Sequence, residues 1–316
     1  MAKTSPKSLR LDSDYTEDVV GFAIESFLSL ISFPFYRFSI EPFSRTKERF
    51  LGADGRLLGR ISGFKPFYMQ FKRPSAYPDH STSKIIRDRK ETKPKALNTS
   101  PRTLYFPLRD KQVGHTDYQH NVLFKLRARL IRRGLGDATY VCPLFLERSA
   151  YRFWMHMAGI RRWSRFLLLD PWDLEDVFVD IGGKRILFDR IPILAEHVSI
   201  PPHDLVKDAK HSYSFTEQGQ EVCFHSPLSL PEVAVSLSSF LKSVSEGFLS
   251  NESVILFEDA QRALQTLLTA EVGEEALPMS NRIFENQDGI GGWLSWGDFL
   301  RREYEIEQFA LMRWEE

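Results

Sequence analysis

A mixed α/β sheet flanked by helices, followed by an α+β region, is the architecture this sequence predicts. Three observations carry it. Residues 14–145 read in the order helix, three strands, helix, strand. Beyond residue 150, hairpin and helix-start signals alternate without a fixed rhythm. The charge also changes sign between the two halves. Residues 1–150 hold 27 Lys and Arg against 15 Asp and Glu, a net of +12, while 151–316 hold 15 against 27, a net of −12.

Residues 1–13 are polar and basic and predict a flexible tail. Asp14 is placed to cap a helix from about Tyr15 to Ile31, with Val20, Ile24, Phe27 and Ile31 as its apolar stripe and Ala23 and Leu28 widening it. Pro34 stops that helix. Phe35–Ile40 alternates as a strand does, and Leu51–Ile61 reads as a second strand opening at Gly52-Ala53-Asp54. Gly63 predicts a break, and Pro66–Lys72 a third strand.

Residues 73–113 predict a long basic insertion. Lys84, Arg87, Arg89, Lys90, Lys93, Lys95, Arg102, Arg109 and Lys111 fall there among Pro74, Pro78, Pro94, Pro101 and Pro107. A helix follows from about Asp117 to Arg133, with Leu123, Leu126 and Leu130 on one side and Lys125, Arg127, Arg129, Arg132 and Arg133 over the rest. Gly134 and Gly136 end it. Thr139–Phe145 is an apolar strand.

The division expected is therefore a tail at 1–13, a core at 14–150 with the insertion at 73–113, and an acidic α+β region at 151–316. In that last region Arg165–Leu169 predicts a strand. Val177–Ile181 and Lys184–Phe188 flank the two-residue turn Gly182-Gly183. His211–Phe215 and Glu221–His225 predict a second hairpin around Gly219. Ser229-Leu230-Pro231-Glu232 is a capping box leading into a helix to about Glu246. Val254–Ala270 predicts another helix, and Trp296–Trp314 a last, charged one.

Several classes are disfavoured. The most apolar stretch, Phe22–Phe35, contains Glu25 and Pro34 and does not suit a bilayer span. The N-terminus carries Lys3, Lys7 and Arg10 and then turns acidic, unlike a secretory signal. Cys142 and Cys223 make no disulfide framework, which predicts a reducing, cytoplasmic setting. No glycine loop of the P-loop or dinucleotide type appears. His197, His203, His211, Cys223 and His225 cluster in sequence, but their spacing fits no structural zinc pattern and predicts core or hydrogen-bonding histidines.

Phosphodiester hydrolysis needs a metal to neutralise the phosphate, a group to help make hydroxide, and a rigid scaffold. Asp54 at the mouth of one strand, with Gln70 and Lys72 on one face of the next, supplies such a set if the two strands pair as neighbours. Glu25 lies beside the apolar stripe of the first helix, where it can face the sheet edge. This pattern resembles the PD-(D/E)XK nuclease superfamily, the restriction-endonuclease-like fold, in its Mrr-like and Holliday-resolvase-like branch. That branch has a helical Glu, an Asp opening a strand after small residues, and Gln-x-Lys on the next strand. The matching residues are Glu25, Asp54, Gln70 and Lys72, and the resemblance covers roughly residues 14–145.

The resemblance implies a metal-dependent endonuclease acting on DNA with Mg²⁺ or Mn²⁺. It implies Glu25 and Asp54 as metal ligands, Gln70 as a polar or metal-facing group, and Lys72 as the residue that positions or activates water. Gln70 stands where the namesake pattern has an acid, and Glu41 or Glu48 is an alternative to Glu25 as the second carboxylate. Gln119 and His120 open the second helix near the family's helper positions, and capping or solvent exposure is the expectation for them.

The basic insertion and Arg127, Arg129, Arg132 and Arg133 are the expected nucleic-acid contacts. The acidic region 151–316 is expected to form a separate layer for self-association or a regulatory partner protein. A nuclease held in a cytoplasm fits a role in antiviral defence or restriction. The alternative is a catalytically inactive module of the same fold that binds nucleic acid or a partner protein.

Overall fold

The computed structural model describes residues 9–31, 38–42, 61–115, 117–153, 192–208, 210–225, 234–249 and 290–314. Two sheets carry the described chain. The larger has the order β10-β7-β6-β3-β11-β2, and the smaller β1-β4-β5-β8-β9.

In the larger sheet, β2 (Phe38–Pro42), β3 (Ile61–Phe71), β6 (Asp137–Pro143), β7 (His197–Ile200), β10 (Val235–Ser236) and β11 (Glu307–Trp314) meet. Among the described strands only β3 and β6 run parallel, with Phe67 opposite Asp137 and Phe71 opposite Val141. A parallel neighbour needs a crossover, and α3 (Gln119–Arg132) lies between these strands in sequence, as expected. Arg133 and Gly134 close α3, and Gly134 takes the left-handed conformation at φ +65°. Gly136 lies directly against the Pro66 carbonyl, where a Cβ would sit 2.0 Å from the oxygen.

Side chains alternate along β3, so its two faces enter different cores. Phe67, Met69 and Phe71 pack with Val20, Ala23, Ile24, Phe27 and Leu28 of α1 (Glu17–Ile31) and with Leu237, Phe240, Leu241 and Val244 of a helix at Leu237–Leu249. Phe64 and Tyr68 pack the other way, against Leu123, Leu126 and Leu130 of α3 and Trp293 and Trp296 of a helix at Ile290–Tyr304. That second core also holds Leu104, Phe106, Tyr213 and Phe215 of the smaller sheet, so it joins the two sheets.

The smaller sheet overturns the reading of 73–113 as an irregular insertion. It contains β4 (Ser75–Pro78), α2 (Lys84–Glu91) and β5 (Arg102–Pro107). Pro74, Pro78, Pro101 and Pro107 sit at or beside the ends of these strands, where a missing N–H costs little. Ser83 caps α2 by accepting from the Ile86 N–H at 3.3 Å. Leu11–Asp12 of the expected tail forms β1 and pairs with β4. The hairpin around Gly219 forms as β8 (Ser212–Thr216) and β9 (Cys223–His225), with Gly219 at φ +72°.

Three further expectations are corrected. Gly63 does not break the chain but sits inside β3, opposite Arg313. The last helix ends at Tyr304, and Glu307–Trp314 is a strand with Phe309 to Met312 fully buried. A four-residue apolar run lies inside a sheet more readily than on a surface helix. Finally, the described residues beyond 150 do not form a separate layer. β11 inserts between β2 and β3, and β8 extends the sheet begun by β4 and β5. A boundary near 150 cuts across both sheets.

Candidate active site

The functional side chains gather where β3 ends. Gln70 and Lys72 share the face that looks toward α3 and α6 (Ile290–Tyr304), the helix that follows α4 (Pro192–Ala195) and α5 (Leu237–Leu249) in the chain. Both side chains are buried, Gln70 at 0% exposure and Lys72 at 2%. The Lys72 ammonium donates to Gln119 Oε1 at 3.1 Å and lies 5.9 Å from the centre of the Tyr140 ring. Burial pushes the Lys72 pKa below that of an ordinary lysine; Glu17 and Glu305 oppose that shift, while Arg109 adds to it. A lysine so placed gives up its proton more readily than a surface one, which suits a group that handles water.

Gln70 donates through Nε2 to the Tyr304 carbonyl at 3.0 Å. Gln119 Nε2 donates to the same carbonyl and also lies 3.3 Å from Glu305 Oε2. Gln70 Oε1 is buried and has no hydrogen-bond partner among the described residues. A buried acceptor without a donor costs about 1–3 kcal/mol. An amide oxygen of this kind is one that a hard cation accepts as a ligand.

Glu305 follows α6 in a left-handed conformation, at φ +53°. Its N–H bonds to the Arg301 carbonyl, the pattern that usually calls for glycine after a helix. A side chain held there costs about 1–3 kcal/mol, and such strain concentrates at functional sites. The Glu305 carboxylate meets Arg109 Nη1, while Arg109 Nη2 reaches Glu17 at the start of α1. The mouth of the site is thus a carboxylate–guanidinium–carboxylate bridge above a buried lysine.

Asp54 and Glu48 lie outside the described residues, as does the Glu41 side chain. Along Phe67–Met69 both edges of β3 are taken, by β11 and β6. β11 holds one of these edges, and its separation in sequence from β3 hid that pairing; residues 51–60, expected to form the neighbouring strand, lie outside the described residues. Glu25 is buried on α1, on the Met69 side of the sheet rather than the Lys72 side. Eight residues separate it from Glu17, about 12 Å along the axis, and Glu17 is the α1 carboxylate whose field leads at Lys72.

Gln119 and His120 are not exposed caps. Gln119 holds Lys72, and His120 Nδ1 accepts from the Tyr140 hydroxyl at 2.8 Å while its Nε2–H donates to the Asp204 carbonyl. Their position at the start of the crossover helix was the available signal. Tyr304 and Glu305 had none, because the turn between α6 and β11 was read as helix.

The four arginines expected to bind nucleic acid are engaged. Arg127 pairs with Asp137 at 2.9 Å, and Arg129, Arg132 and Arg133 each make interactions of their own. Among the described residues, no group of three or more His, Cys, Asp or Glu side chains is arranged to hold a metal, and no helix is long and apolar enough to cross a membrane. Comparison with family models, with curated proteins and with solved structures returns no match.

Proposed function

We propose that this chain is a metal-dependent endonuclease with a restriction-endonuclease-like core, hydrolysing DNA with Mg²⁺ or Mn²⁺. The observation that carries the reading is Lys72 itself. It is a buried lysine of lowered pKa at the end of β3, on one face with Gln70 and held by Gln119 from the helix that leads to the parallel strand β6. In this reading Asp54 and Gln70 face the metal and Lys72 positions or activates the attacking water. Glu25, on the other face of β3, leaves the ligand set.

Incubation of the purified chain with supercoiled plasmid and Mg²⁺ or Mn²⁺ tests this directly. Nicking or linearisation is expected, with loss in Asp54→Ala. Metal-independent cutting, or equal cutting by the variant, overturns the reading. One observation favours the alternative of an inactive nucleic-acid-binding module: Lys72 is only 2% exposed. DNA binding without cleavage under every metal tested is the result that module gives.

A further inference from the structure

We infer that residues 109–115 form a strap closed over Lys72, latched by Arg109 on Glu17 and Glu305, and that this strap lifts to admit solutes to the ammonium. The inference takes one thing from the nuclease reading, that the substrate has to meet Lys72.

Both ends of the strap are tied to three consecutive residues, Glu303, Tyr304 and Glu305. At the first end Arg109 Nη1 donates to Glu305, while Nη2 donates to Glu17. At the second, His115 Nε2 donates to Glu303 at 3.1 Å, and its ring centre lies 4.8 Å from that of Tyr304. The same turn is a wall of the site. The Tyr304 carbonyl holds Gln70 and Gln119, and Glu305 Oε2 lies 3.3 Å from the Gln119 amide whose oxygen accepts from Lys72. The surface charges that act most on Lys72 are Glu17, Arg109 and Glu305, the three members of the latch.

Of the groups around Lys72, the strap is the part free to yield. Gln119 starts α3, Tyr140 lies inside β6, and Glu17 starts α1. The strap hangs between fixed points. Leu108 is buried and its N–H donates to the His211 carbonyl at 2.9 Å, while Asp117 is held by Asn121 and Lys125. Between them Asp110–Gly114 are all exposed, with Val113 standing wholly in solvent. Gly114 takes φ +90° in a turn that the His115 N–H closes on the Gln112 carbonyl. The latch itself is shallow, with Arg109 and Glu305 each 41% exposed at the side chain. Ion pairs so exposed hold weakly and are screened by salt. A loop anchored at rigid ends and closed by such pairs is built to gate a site. It also accounts for a lysine that is only 2% exposed at a site open to a large substrate.

Acetylation of Lys72 in the full chain by a succinimidyl ester, read by peptide mass spectrometry, measures the opening without a cleavage assay. Arg109→Ala is expected to speed labelling about fivefold, the weight of two half-exposed ion pairs. Raising NaCl from about 0.05 M to about 0.5 M is expected to speed it in the wild type. Arg109 lowers the Lys72 pKa, so its loss alone makes the amine more protonated and slower to react; faster labelling therefore reports access. Maleimide labelling of the fully buried Cys142 is the control for general unfolding and should stay silent. If Cys142 reacts in the variant, the salt arm on the wild type decides. Lys72 labelling unchanged by Arg109→Ala in a folded chain, or unchanged by salt, overturns the inference. Cleavage that needs Asp54 and Lys72 while labelling ignores Arg109 and salt removes the strap and leaves the nuclease reading. The expected labelling without plasmid cleavage leaves the strap and removes that reading.

Discussion

The Lys72 ammonium and the Gln119 carboxamide oxygen meet at 3.1 Å, with both side chains withdrawn from solvent. Lys72→Met keeps the length of the side chain and removes its charge. We expect cleavage to be abolished and the melting temperature to stay level or rise, because a buried ammonium costs more to desolvate than one amide contact returns. A drop in melting temperature of several degrees, with cleavage intact, refutes both halves of this expectation.

The lowered pKa of Lys72 also sets a pH dependence. If its neutral form takes a proton from water, the rate should climb with pH and level off below the usual lysine range. Gln119→Leu removes the oxygen that holds the charged form and should move that inflection to lower pH. Identical pH–rate profiles for the two proteins would separate Gln119 from the chemistry.

His120 and His197 give the fold its own acid sensitivity. Burial lowers each from 6.5 to about 4. The unfolded chain binds the proton first, so stability is full above the unfolded value and is lost as pH falls from there toward 4. The limiting loss is roughly 3 kcal/mol for each ring. Urea midpoints measured between pH 7 and pH 4.5 should fall steadily, and less steeply in His197→Gln.

Arg87, Lys93 and Lys95 are exposed and have no ion-pair partner among the described residues, whereas Arg127 is held by Asp137. Neutralising the first three should weaken DNA binding and flatten the slope of log K against log salt by about 2.7. Arg127→Gln should instead act on stability, because it strands a partly buried carboxylate whose pKa burial already raises. Equal salt slopes for wild type and the triple variant would move the DNA to another face.

Residues 1–150 alone should not fold cooperatively. They lack β11, without which β2 and β3 lose their shared neighbour, and β8 and β9, which complete the smaller sheet. A sharp two-state melt from that fragment would contradict the interleaving of the two sheets.

Much of this was legible because it is local. The stripe of Val20, Ile24 and Phe27, the Leu123–Leu126–Leu130 ridge and the Gly219 turn each specify an element within a few residues. Gln70 and Lys72 share a face for the same reason: side chains alternate along a strand. What stayed hidden depends on distant partners. Nothing near Lys72 announces that Tyr304 and Glu305 will stand beside it, because the chain returns there after more than 230 residues. Phe309–Met312 was read as helix since an apolar run fits both a helix and a central strand, and only the pairing with β3 decides. Pro74, Pro78, Pro101 and Pro107 read as breakers because their place at strand ends is a property of the sheet.

The position of β11 has a consequence for biosynthesis. On the ribosome, β2, β3 and α1 emerge long before the segment 290–314 that fills the gap between the two strands and delivers Tyr304 and Glu305 to Lys72. Throughout that interval the nascent polypeptide has the lysine and the aspartate of the proposed site but not its far wall. The proposed activity therefore waits for the segment 290–314 to emerge, and a product released before it lacks the Tyr304 and Glu305 side of the site.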